Sequence, residues 1–92
     1  MIVGVLKVSL LIREARSLKD KRRVVSSIKD RVRARLNVAI AEVDSQDLRQ
    51  RADLGAVTVS SSRAHAESVL GDVLKVIDRA PAERFDTTLE FL

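Results

Sequence analysis

Residues 2–12, IVGVLKVSLLI, are apolar on both sides of an extended chain. Side chains alternate along a strand. Ile2, Gly4, Leu6, Val8, Leu10 and Ile12 therefore share one face, and Val3, Val5, Lys7, Ser9 and Leu11 the other. A strand apolar on both faces belongs in the middle of a sheet, and everything else in the chain must be arranged around it. The same segment does not read as a leader or a membrane span. It lacks a basic start and a small-residue cleavage pattern, is broken by Lys7, and is too short to cross a bilayer. The expectation is a cytoplasmic chain without a membrane partner.

Two helical stripes follow. Ser17 and Asp20 have the spacing of a capping box, with Asp in place of the usual Glu. Val25, Ile28, Val32 and Leu36, with Val24 beside them, then recur at 3–4 residues and predict an amphipathic helix over 18–36. Asn37 suits a left-handed exit. Ser61 and Ser62 offer caps for a second helix over 63–79, with the stripe Ala66, Val69, Leu70, Val73 and Ile77. Gly71 inside it points to a close contact, and Pro81 blocks continuation. Residues 38–43 and 54–60 read as strands, 44–53 as a polar connection, and RFDTTLEFL at the end as a strand with one wet face.

The order is βαββαβ in a single domain, residues 1–92. Two helices that each need an apolar partner are served by one four-stranded antiparallel sheet covered on one side. The split β-α-β arrangement gives strand order 4-1-3-2, an α+β ferredoxin-like fold. The uncovered face would carry Val3, Val5, Leu11, Ala56 and residues of the 38–43 strand, and an apolar sheet face calls for a second subunit. A homodimer through that face is expected.

Composition removes many functions. With no cysteine and one histidine, His65, disulfides, thiolate metal sites and multi-histidine zinc sites are excluded. The loop Arg13-Glu14-Ala15-Arg16 has no glycine to wrap a phosphate, which argues against acylphosphatase chemistry on this fold. Glu42, Asp44 and Asp47 are read as solvated acids and Ser60–Ser62 as capping residues. No catalytic residue, cofactor or metal is assigned. Only Phe85 and Phe91 are aromatic, so base stacking on the sheet has no platform.

The charge is unevenly placed. The chain carries Lys+Arg 17 and Asp+Glu 13, for a net +4. Between Arg13 and Arg35, ten basic residues stand against Glu14, Asp20 and Asp30, while the rest of the chain is net negative. Arg22, Ser26, Lys29 and Arg33 fall on one helical line. Lys19, Lys21, Arg22 and Arg23 crowd the helix start, where the dipole disfavours cations by ~0.3–1 kcal/mol each. Cations beside free backbone N–H groups suit a phosphate. The candidate nucleic-acid-binding residues are accordingly Lys19, Lys21, Arg22, Arg23, Lys29 and Arg33. The expected partner is structured RNA or a ribosomal particle. An acidic protein partner and a merely solvated face are the competing readings.

The run Ser17-Leu18-Lys19-Asp20-Lys21-Arg22-Arg23-Val24-Val25, then Leu36 to Asp44, Arg51-Ala52-Asp53-Leu54-Gly55 and Val59-Ser60, resembles the YlxP-like family. The resemblance covers nearly the whole chain. It implies a ferredoxin-like, dimeric, cytoplasmic domain encoded among translation and ribosome-maturation factors. It supplies no catalytic residue.

Overall fold

A computed structural model describes residues 1–92. Its elements are β1 (Ile2–Leu11), α1 (Leu18–Arg35), β2 (Ala39–Asp44), β3 (Arg51–Ser60), α2 (Arg63–Asp78) and β4 (Glu83–Phe91). The antiparallel sheet runs β2-β3-β1-β4, which is the expected 4-1-3-2 read from the other edge. β1 is central, paired with β3 through Lys7↔Gly55 and with β4 through Leu6↔Leu89.

Both helices pack on one face. Leu6, Val8, Leu10 and Ile12 meet Val25, Ile28 and Val32 of α1 and Leu70, Val73 and Ile77 of α2, all buried. α1 starts as its spacing predicts: Ser17 Oγ accepts from the Asp20 N–H at 3.1 Å, and Asp20 Oδ2 accepts from the Arg16 N–H at 3.0 Å. In α2, Ser62 Oγ caps the His65 N–H. Gly4 lets α2 approach β1, since a Cβ there would stand 2.9 Å from Leu70 Cδ1.

Several details differ from the sequence reading. β3 begins at Arg51 rather than 54, because its first residues extend the ladder opposite Leu11. Ala56 and Thr58 stand opposite Leu6 and Gly4 of β1, so they point to the helices and are buried, while Gly55, Val57 and Val59 occupy the open face. α1 leaves through Leu36 in extended geometry, without a left-handed Asn37; the one positive-φ residue is Ser45 (φ 60). β4 is exposed along almost its whole length. A bulge opposite Ser9/Leu10 interrupts its alternation, and Phe85 lies under the Arg51 guanidinium at 5.0 Å.

Gly71 makes no close contact, as a Cβ there meets nothing within 4 Å. Its helical position only weakens α2, so Gly71→Ala is expected to stabilise the fold by about 0.5–1 kcal/mol. Urea midpoints of the two proteins check this, and no gain would show that the glycine is needed for packing.

Candidate nucleic-acid interface on the first helix

α1 buries Val25, Ile28 and Val32, and the same i, i+4, i+7 spacing extended back one turn lands on Lys21. Lys21 is fully buried. Its Nζ donates to the carbonyls of Ser45 (2.8 Å), Gln46 (3.1 Å) and Arg51 (3.2 Å), and Glu42 Oε2 stands 2.9 Å away. An ammonium has three N–H groups. Three carbonyls take them, and the carboxylate balances the charge as a fourth oxygen. Lys21 thus pins the β2–β3 connection to the helix and cannot touch a nucleic acid. This corrects its assignment as a phosphate ligand. Glu42 is the partner that the sequence reading left in solvent.

A second anchor holds the same connection from the open side of the sheet. Asp53 accepts from Arg51, from Ser45 and from Ser9 of β1. Gln50 reaches back to the carbonyls of Arg13 and Ala15. The hydrogen-bonded Arg51 guanidinium, assisted by the Ser45 and Ser9 hydroxyls, outweighs desolvation and holds the Asp53 carboxyl at about 2 against an ordinary 3.8. A depressed pKa stabilises the fold above the unfolded carboxylate range and loses that contribution as pH falls through the folded value. After allowance for solvent screening the gain is about 1–2 kcal/mol. The stability difference between wild type and Asp53→Asn should be full at pH 6 and shrink as pH falls from ~5 toward ~2. A difference that stays constant over that range contradicts the assignment.

The other cations of α1 have no such partners. Lys19, Arg22, Arg23, Arg31, Arg33 and Arg35 are exposed and Lys29 half-buried, and none lies within 4.0 Å of a carboxylate. The ion pairs of the chain lie elsewhere: Arg13–Glu83, Lys21–Glu42, Arg51–Asp53, Lys75–Asp72 and Arg84–Asp78. Arg22, Lys29 and Arg33 line the flank of α1 next to edge strand β2, where the Arg33 guanidinium donates to the Ile40 carbonyl at 3.0 Å. Arg31 and Arg35 lie on the opposite flank with Arg79 of α2, a grouping the sequence reading missed. Its only signal in the sequence is the i,i+4 spacing of Arg31 and Arg35. Arg79 joins them solely through the tertiary fold.

The sequence matches, over residues 3–88, the family described as "Protein of unknown function (DUF503)". The chain belongs to this family. The uncharacterized protein YlxP of Bacillus subtilis (strain 168) is 41% identical over 91 residues, spanning 98% of this chain and 99% of its own. Among solved structures, the cofactor-independent oxygenase SnoaB from Streptomyces nogalater superposes with a TM-score of 0.58 at 7% identity, covering 97% of this chain and 90% of its own. A de novo designed protein with a ferredoxin fold superposes with a TM-score of 0.50 at 16% identity, covering 100% and 84%. At such identities these two structures speak for the fold alone. Within this DUF503 chain no helix is long and apolar enough to cross a membrane, and no group of three potential metal ligands is assembled.

Proposed function

We propose that this DUF503 chain is a cytoplasmic, non-catalytic RNA- or ribosome-associated module that grips phosphates with α1. One observation carries the reading: seven cations on one helix have no carboxylate partner, whereas five of the chain's ten other basic residues are ion-paired. Arg33 and Arg35 sit in the last turn, where the helix dipole favours them. That explanation fails for Lys19, Arg22 and Arg23 near the positive end. Their placement costs stability and becomes favourable only beside an anion.

The mechanism is counterion displacement, which gives affinity with little base information. Each phosphate contact contributes about 0.7–0.9 to the slope of log affinity against log salt. Titration of a structured RNA from 50 to 200 mM salt should give a slope of about −4 to −6 if most of the seven engage. Salt-independent binding, or none at 50 mM, overturns the reading. Binding that instead survives nuclease treatment of a lysate pull-down favours the acidic protein partner.

The open sheet face supports pairing of two copies. Val43, Val57 and Val59 are exposed there, around Lys7, which pairs with no carboxylate within its own chain. Asp44, Asp86 and Glu90 at the borders of the face are equally unpaired. A two-fold axis would set the Lys7 of each copy against the acids of the other. Val5→Glu/Val57→Glu should convert a dimer to a monomer in sedimentation velocity, and a wild-type monomer at 100 µM would exclude the pairing.

A further inference from the structure

Five of the exposed or half-buried cations of α1 form two rows, and Lys19 and Arg23 near the helix start stand on the ridge between them. At 3.6 residues per turn, Arg22, Lys29 and Arg33 fall within an arc of roughly 40°. Arg31 and Arg35 fall roughly 140–180° away around the same helix. The second row is extended by Arg79, the C-cap of α2. A groove of about 230 Å³ runs beside it, lined by Arg23, Arg31 and Arg79 over Val24, Val76 and Pro81.

Between the rows the solvent-facing ridge carries Lys19 and Arg23 near the helix start and then Ser26, Ser27, Asp30 and Ala34, all exposed. Asp30 has no cation within 4.0 Å. Beyond Arg23, a phosphate chain laid along the centre of the helix would therefore meet a carboxylate and no cation. Two phosphate chains, one on each flank, would avoid it. They would stand about one helix diameter apart at the bases of the rows, ~10–12 Å.

Resting on the phosphate-binding reading above, we infer that α1 straddles the minor groove of double-helical RNA. The Arg22 row meets the phosphates of one strand and the Arg31–Arg35–Arg79 row those of the other. Ser26 and Ser27 face the 2′-hydroxyls between them. A-form RNA suits this because its minor groove is wide and shallow and displays 2′-hydroxyls, which DNA lacks. Small residues on the ridge let the helix sit close.

Fluorescence anisotropy with a 20-base-pair RNA duplex, the DNA duplex of the same sequence and one RNA strand alone tests the inference. The RNA duplex should bind at least tenfold tighter than either of the others. Arg31→Glu/Arg35→Glu/Arg79→Glu should weaken duplex binding at least tenfold, as should Arg22→Glu/Lys29→Glu, which spares the Arg33 contact with β2. Ser26→Ala/Ser27→Ala should narrow the preference for RNA over DNA while leaving the salt slope unchanged. Circular dichroism at the assay temperature confirms that each variant is folded. Equal binding of single-stranded RNA or of DNA, or indifference to reversal of the Arg31 row, overturns the two-strand geometry while leaving phosphate binding by α1 intact. Failure of every RNA to bind in a salt-dependent way overturns both.

Discussion

Lys21→Ala is expected to destabilise the protein by about 3–5 kcal/mol, the cost of removing one partner from a buried ion pair. The substitution leaves Glu42 Oε2 facing a cavity and deprives the carbonyls of Ser45, Gln46 and Arg51 of a shared donor. Each unsatisfied buried acceptor costs on the order of 1–3 kcal/mol before relaxation. A domain of this size has about 5–15 kcal/mol in all, so the variant should melt ~15–30 °C lower. Lys21→Met keeps the buried stem and loses only the ammonium, so most of the loss should persist. Lys21→Met/Glu42→Leu should recover part of it, because the orphaned charge is gone. Thermal melts of the three proteins check this. A loss below about 1 kcal/mol in Lys21→Ala would mean that water replaces the ammonium and that the lysine is a surface group after all.

The misassignment of Lys21 shows where the sequence stops being legible. The fold was readable because its determinants are periodic: alternation in 2–12, the stripes Val25–Ile28–Val32 and Leu70–Val73–Ile77, and the serine caps. Those signals depend on neighbours within a few residues. Lys21 falls on the stripe too, but its type is that of a solvated residue. Only the chain's return through Glu42 and residues 45–51 supplies the oxygens that make its burial tolerable. The inward turn of Ala56 and Thr58 has the same origin, because it is set by their register opposite Leu6 and Gly4 of β1 and not by local composition.

The motif residues that carry the family resemblance divide accordingly. Ser17, Asp20, Lys21, Glu42, Arg51 and Asp53 cap α1 and clamp the β2–β3 connection. Lys19, Arg22 and Arg23, interleaved with them, hold nothing in place. One short run thus serves two ends: Ser17, Asp20 and Lys21 fix the helix start, and Lys19, Arg22 and Arg23 are left exposed beside it. The structural members explain why the run has its spacing, and the remaining cations are what a function has to explain.

Those cations separate by experiment from the buried lysine. Arg22→Glu/Lys29→Glu/Arg33→Glu is expected to lower affinity for structured RNA by at least ~100-fold near 100 mM salt and to flatten the log–log salt slope by about 2–3. Three contacts at about 0.7–0.9 each give that change in slope, and the new carboxylates add repulsion beyond simple loss. The glutamine counterparts at the same positions should flatten the slope equally with a smaller loss of affinity. The fold should hardly notice. Arg22 and Arg33 are exposed, Lys29 half-buried, and only the Arg33 hydrogen bond to the Ile40 carbonyl is lost, a change of ~1 kcal/mol or less at such a site. Lys21→Met, assayed well below its melting temperature, should show the opposite pattern, with stability reduced and the salt slope unchanged, because a buried ammonium displaces no counterion. If the triple reversal left both affinity and slope as in wild type, the exposed row would be a solvated surface, and the crowding of cations at the start of α1 would have no ligand to account for it.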